Sequence, residues 1–277
     1  MIQEIGKSIV SKKIIKIHGS DLIEGFDAIA AEAPLQISIS VLDADSPIIN
    51  KNISITMRTP GHDRDLALGF LFTEGIIMAS HQINNVVIDG NSVIVQLKNT
   101  EGIDLSKLER HFYTSSSCGV CGKASIEALK TICRLPPTKS DFKIDKDLIK
   151  SFPDILQQKQ NIFNTTGGIH AAALFNDEGK LITMREDVGR HNALDKLIGH
   201  SLQQNQLPLH KHLLFLSGRA SFELIQKATM AGIHFVMAVG APSSLAVEMA
   251  LEHDVTLIGF LKETRYNIYA GSNRIKI

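Results

Sequence analysis

Residues 213–261 read LLFLSGRASFELIQKATMAGIHFVMAVGAPSSLAVEMALEHDVTLIGFL, and the rhythm of this stretch decides the fold class. Three apolar runs, at 213–216, 234–239 and 255–261, have the length of buried strands. Between them, 220–231 and 243–253 space their apolar residues for helices, the second opened by Ser243 or Ser244 behind Pro242. Strands and helices alternating at these lengths predict parallel pairing joined by right-handed crossovers. In such sheets ligands gather where the strands end and the loops collect.

The same rhythm begins upstream. A strand is expected over 169–175, a turn at 176–179, its hairpin partner at 181–184, and a helix over 192–204. Ahead of these, 135–140 reads as a linker and 145–162 as a helix interrupted near Pro153. The first hundred residues have another style. The run 35–41 alternates apolar and polar, 53–58 continues it, and 65–78 carries helical spacing behind Asp63 or Asp65. Segments 86–89 and 92–98 flank Gly90-Asn91, a good hairpin turn. The change of style falls near residues 100–115, giving a smaller N-terminal α+β domain over 1–112 and an α/β domain over 113–277.

Composition narrows the function. Of 277 residues, 44% are hydrophobic and 21% charged, as in an ordinary soluble domain. Lys plus Arg and Asp plus Glu number 29 each, without the basic excess of a protein that grips nucleic acid. No stretch approaches the ~20 apolar residues of a membrane helix. Residues 1–16 mix charges with Ile and Val and lack the pattern of a secretory signal, so the cytoplasm is the expected address. Three cysteines make an odd set for a disulfide framework.

The sharpest chemical signal is Cys118-Gly-Val-Cys121, set between Ser115-Ser-Ser117 and a helix expected over 123–133. A thiol at a helix start is biased toward the reactive thiolate, and flanking glycines let its loop move between partners. The pair can form a disulfide, hold half of a metal site or handle sulfur. A structural zinc needs about four ligands, and no second Cys pair stands beside this one, so no metal is expected. Cys133 shares an apolar helical face with Ile126 and Leu129 and reads as core.

Four further stretches combine glycine with polar side chains. Thr165-Thr-Gly-Gly-Ile-His170 enters a strand, either as a ligand contact or as a turn with a partly buried histidine. Arg185-Glu-Asp187-Val-Gly-Arg190-His191-Asn192 opens a helix, either as an anion site or as a capping network. Ser217-Gly-Arg219-Ala-Ser221 follows a buried strand and suits phosphate at a helix start. Gly259-Phe-Leu-Lys262-Glu-Thr-Arg265 runs off the last strand with an aromatic and two cations.

Taken in order with the run at 70–77 (FLFTEGII), these motifs resemble the FdhD family of formate dehydrogenase accessory sulfurtransferases over nearly the whole chain. The resemblance implies a cytidine-deaminase-like three-layer α/β/α domain, a smaller N-terminal domain and a homodimer. It implies that a cysteine desulfurase loads a persulfide onto Cys118, with Cys121 as its mate. The sulfur then passes to the molybdenum bis(molybdopterin guanine dinucleotide) cofactor required by formate dehydrogenase. The family's cofactor-contacting segment corresponds to Phe260, Leu261, Lys262, Glu263, Thr264 and Arg265, though Glu263 and Thr264 depart from the turn expected there. Arg219 and Arg265 suit the pyrophosphates of such a cofactor. A non-catalytic cofactor chaperone is the alternative. A zinc deaminase is disfavoured, because it needs His-x-Glu ahead of its cysteines, whereas His170-Ala-Ala172 follows them and lacks the acid.

Overall fold

The computed structural model describes residues 8–41, 49–99, 112–113 and 142–276. Cys118, Cys121, Cys133 and the helix expected over 123–133 lie outside the described residues.

The chain opens with a ribbon of β1 (Ile9–His18) and β2 (Asp21–Ala30). Next come β3 (Ala33–Val41), β4 (Ile49–Arg58), α1 (Asp63–Thr73), β5 (Ile83–Asp89), β6 (Ser92–Leu97) and β7 (Phe112–Tyr113). These strands form a five-stranded sheet in the order β5-β6-β3-β4-β7. The turn expected at Gly90-Asn91 joins β5 to β6, with Gly90 at φ 53°. Helix α1 stops five residues before the expected end. Gly75 takes φ 68° and its N–H donates to Phe72, so the chain turns and buries Ile76 and Ile77 outside the helix.

The second half contains β8 (Ile144–Asp145), α2 (Lys146–Lys159), α3 (Asn161–Thr166), β9 (His170–Asn176), β10 (Leu181–Asp187) and α4 (Arg190–Gln203). It continues with β11 (His212–Leu216), α5 (Phe222–Met230), β12 (Phe235–Ala238), α6 (Ser244–Glu252), β13 (Thr256–Lys262), β14 (Arg265–Ala270) and β15 (Ile275–Lys276). Six of these strands make a sheet in the order β10-β9-β11-β12-β13-β14. Parallel pairing holds for β11-β12-β13 alone. Both flanks run antiparallel, because β9-β10 and β13-β14 are hairpins too tightly connected to cross over. The helix over 146–159 passes through Pro153 and breaks at Gln160 instead. One missing hydrogen bond is tolerated there because Ile149, Phe152 and Leu156 bury a continuous apolar stripe.

Period-two alternation separates the faces of the six-stranded sheet. Ala171, Ala173, Phe175, Leu213 and Phe215 meet α2, where the Phe152 and Phe175 rings lie 4.6 Å apart. Ala172, Leu174, Leu214 and Leu216 face α4, α5 and α6. The same core cluster continues through α1 to Leu35, Ile37, Ile39, Val93 and Val95 of the five-stranded sheet. Helix α1 is buried from Asp65 to Thr73, as a helix enclosed between two layers must be.

Ion pairs cross this enclosed layer. Lys227 Nζ of α5 lies 2.9 Å from Asp195 Oδ2 of α4 and donates to Thr73 Oγ1 of α1 at 2.8 Å. Burial opposes the charge on Lys227, but the carboxylates of Asp195 and Glu74 outweigh it and hold its pKa above the ordinary lysine value. Arg185 reaches Asp65 at 2.9 Å, and Arg58 forks onto Asp63 with two bonds of 2.9 Å.

Candidate functional site

The carboxyl ends of β11, β12 and β13 open on one edge of the six-stranded sheet. Because β9 runs antiparallel to β11, its first residue, His170, arrives at that same edge. Ser217 ties the two together: its N–H donates to Ala171 O at 3.0 Å, and its Oγ accepts from Ala171 N at 2.7 Å. A Cβ on Gly218 would stand 3.2 Å from His170 Nδ1, so a side chain there would press the imidazole away from the strand exit.

Outward from this point the loops are stitched by backbone. Gly240 N donates to Gly218 O at 2.9 Å, Ala220 N to Ala241 O at 3.2 Å, and Phe260 N to Gly240 O at 3.1 Å. The aliphatic stem of Arg219 lies over Gly240, leaving its guanidinium exposed. Phe260 takes φ 52°, a left-handed conformation that costs a non-glycine residue ~1–2 kcal/mol, and keeps its ring 40% exposed. Its neighbour Leu261 points the other way, into the core under α2. Lys262, Glu263, Thr264 and Arg265 form the exposed turn between β13 and β14. Among the described residues Arg219, Lys262 and Arg265 enter no ion pair. Glu263 leans toward Asp154 of α2, whose carboxylate raises the Glu263 pKa by hydrogen bonding and by charge.

The loop from β10 to α4 divides into a fully paired half and a half that leaves buried polar atoms without partners among the described residues. Asp187 is fully buried: it meets Lys196 Nζ at 2.7 Å and accepts from Thr59 N, Gly189 N and Asn192 Nδ2. That is a satisfied network binding the segment just after β4 to the start of α4. Beyond it, His191 Nε2 lies 2.9 Å from Glu223 Oε2 and 3.3 Å from Ser221 Oγ. Arg190 Nε and Glu223 Oε1 are buried with no hydrogen-bond partner among the described residues. Burial, followed by the charges of Arg190 and His191, lowers the His170 pKa, so its imidazole is neutral at pH 7.

A cavity of about 530 Å³ opens beside His170, between the sheet edge and helices α2 and α3. Phe163, Phe215, Ile169, Val188 and Val239 supply apolar walls, and Gln160, His170 and Ser217 supply polar groups. Gln160 is 6% exposed and lines the cavity beside Phe163. Among the described residues the cavity walls carry no Lys or Arg. Such a space suits an uncharged planar group with donor and acceptor edges, whereas phosphates would find their charge partners outside it, at Arg219, Lys262 and Arg265.

Four of the stretches singled out in sequence therefore meet at one edge. Gln160 and Phe163 were not among the residues singled out. The available signal was Gln160 itself, which falls four residues after Leu156 on the stripe Ile149, Phe152, Leu156, where an apolar residue belongs. Cys118 and Cys121 lie outside the described residues.

Comparison with known proteins gives concordant results. The model of the FdhD/NarQ family matches residues 30–276. The sulfur carrier protein FdhD of Streptomyces avermitilis is 44% identical, covering 99% of this chain and 98% of its own. That of Saccharolobus solfataricus is 39% identical, covering 95% and 96%. In fold, the chain is similar to the crystal structure of a protein from Desulfotalea psychrophila assigned as a formate dehydrogenase accessory protein. That likeness has a TM-score of 0.72 at 22% identity and covers 97% of this chain and 99% of the other.

Proposed function

The chain belongs to the FdhD/NarQ family, and from that membership we propose that it is a sulfur carrier in the maturation of formate dehydrogenase. Cys118 takes sulfur from a cysteine desulfurase and delivers it to molybdenum bis(molybdopterin guanine dinucleotide), which is the substrate of the transfer. The observation that carries this reading is the gathering of His170, Ser217–Ser221 and Phe260–Arg265 at one sheet edge, beside a cavity lined by Gln160, His170 and Ser217.

The steps balance. The Cys118 thiolate attacks the outer sulfur of the desulfurase persulfide, forming one S–S bond and breaking another, and the desulfurase cysteine leaves as thiolate. Cys121 then attacks Cys118. A Cys118–Cys121 disulfide forms, the terminal sulfur departs as hydrosulfide with the electron pair, and a dithiol reductant resets the cysteines. Exposed Arg219, Lys262 and Arg265 pair with pyrophosphate, and the cavity beside Gln160 and neutral His170 receives an uncharged heterocycle. Exposed Phe260 offers a stacking face at the mouth.

The cytidine-deaminase-like character of residues 113–277 belongs to this proposal, supported by helices on both faces of the six-stranded sheet. So do the homodimer and the cytoplasmic address. Among the described residues no helix is long and apolar enough to cross a membrane. The test is complementation of a host lacking its own carrier. The wild-type chain should restore formate dehydrogenase activity and Cys118→Ala should not, at equal protein levels. Restoration by Cys118→Ala would leave the non-catalytic cofactor chaperone as the better account.

A further inference from the structure

Helix α3 supplies one wall of the cavity yet buries none of its six residues. A helix this short is unstable by itself in water, so its neighbours must hold it in place. Both of its ends are built to turn. Gln160 leaves the helical region at φ −77°, ψ 78° and separates α3 from α2, while Gly167 reverses the chain at φ 67°. A Cβ on Gly167 would meet nothing within 4 Å, and one on Gly168 only Thr166 O at 3.8 Å. The backbone there has room to move.

The hold comes from Glu186. Its Oε1 accepts from Phe163 N at 3.0 Å and its Oε2 from Ile162 N at 3.2 Å. These N–H groups belong to the first turn of α3 and have no partner within the helix. The N-cap, Gln160, makes no side-chain bond to them, so a carboxylate from β10 takes the place of a local cap. Bonds of this charge-assisted kind are stronger than neutral ones. Among the described residues α3 is also tied by Asn164, whose Nδ2 donates to Gln157 O at 2.9 Å, and it contacts β2.

The anchor itself is fixed. Arg185 and Asp187, on either side of Glu186, are locked to Asp65 and Lys196 on the opposite face of the sheet. Glu186 pairs with Ala171, which faces α2, and so stands on the cavity side. If the two elements part, α3 is the one that moves, carrying Phe163 with it.

We infer that α3 is a gate on the cavity and that Glu186 is the positioning residue that latches it, setting Phe163 against the bound heterocycle. Gln160 and Gly167-Gly168 are its pivots, since chain ends that absorb a turn are where such closures hinge. The inference deepens the proposed function and rests on that reading for the ligand alone; the latch is a property of the free chain.

The sequence has no tryptophan, so Phe163→Trp places a lone fluorophore on the gate. Guanosine diphosphate should change its emission, and adding Glu186→Ala should speed the ligand's dissociation about tenfold or more in stopped flow. Glu186→Gln, which keeps one acceptor oxygen, should fall between the two. Hydrogen exchange reads the latch without ligand. Protection of the Ile162 and Phe163 amides should fall about tenfold or more in Glu186→Ala, while Leu174 of β9 and Leu197 of α4 keep theirs. Unchanged exchange at Ile162 and Phe163, or unchanged dissociation, would overturn the inference. Lost protection at Leu174 and Leu197 would overturn it as well, by making Glu186 a general support of the fold. A wild type that does not bind guanosine diphosphate would overturn the gate together with the ligand assigned to the cavity. Persulfide loading of Cys118 on the same samples keeps the proposals apart: loading with no latch sinks this one alone, and a working latch without loading sinks the sulfur reading alone.

Discussion

Gly69 of α1 and Gly199 of α4 face each other at the crossing of the two helices, with no space for a methyl group between them. A Cβ on Gly69 would fall 1.8 Å from Asp195 O, and one on Gly199 would fall 1.9 Å from Asp65 O. The contact brings the helix backbones together and sets the ion pairs Arg185–Asp65 and Lys227–Asp195 across the same junction. Gly69→Ala and Gly199→Ala should each destabilise the chain by about 3 kcal/mol or more, because the clash is with backbone and cannot be relieved by a rotamer. Gly25→Ala, where a Cβ meets nothing within 4 Å, is the control. Urea denaturation midpoints measure all three.

Removing one member of a buried ion pair leaves the other charge without a partner. Lys227→Met should cost about 3–5 kcal/mol through the stranded Asp195 carboxylate. Adding Asp195→Asn should recover part of that loss, so the double variant should be less destabilised than the sum of the singles. A double-mutant cycle by urea denaturation reads the coupling directly.

These junctions explain which parts of the fold were legible in sequence. The strands and helices of 213–261 appear within two residues of their expected ends, because each apolar run is bounded by Gly, Pro or Ser chemistry acting locally. The antiparallel flanks were not legible. Pairing direction depends on where β10 and β14 return in space, and β14 lies in a polar run, RYNIYA, with little strand alternation. Of the site, the glycine-bearing loops announce themselves as loops. The division of 185–192 into fully paired Asp187 and Arg190, whose buried Nε lacks a partner among the described residues, does not, since Thr59, 128 residues away, satisfies the carboxylate. The β1-β2 ribbon was missed because its apolar residues are interleaved with lysines and never mark a buried face.

The exposed turn of β13 and β14 should bind phosphate. Arg219→Ala and Arg265→Ala should each weaken guanosine diphosphate, standing in for half of the cofactor, by roughly ten- to a hundredfold. Glu263 works against that binding. Its pKa is raised by Asp154, so as pH falls from neutral it takes up a proton earlier than a free glutamate, the turn loses negative charge and anion affinity rises. Glu263→Gln should strengthen binding at pH 7 by about two- to fivefold and flatten the pH dependence relative to wild type. Calorimetric titration across pH measures both effects.

Phe260 holds a left-handed backbone at a position where its ring is open to solvent. Phe260→Gly should leave stability unchanged or raise it by about 1 kcal/mol, since glycine adopts φ 52° freely. The same substitution should weaken guanosine diphosphate binding by removing the stacking face. A loss of stability together with unchanged binding would assign Phe260 a packing role instead.

The account turns on Cys118. Intact-mass analysis of the wild-type chain after incubation with a cysteine desulfurase and cysteine should show the gain of one sulfur atom, released by a thiol reductant. Cys118→Ala should show none, and Cys121→Ala should still load, because Cys121 acts only in the release step. Equal loading of wild type and Cys118→Ala, or no loading of either, would contradict the sulfur-carrier reading.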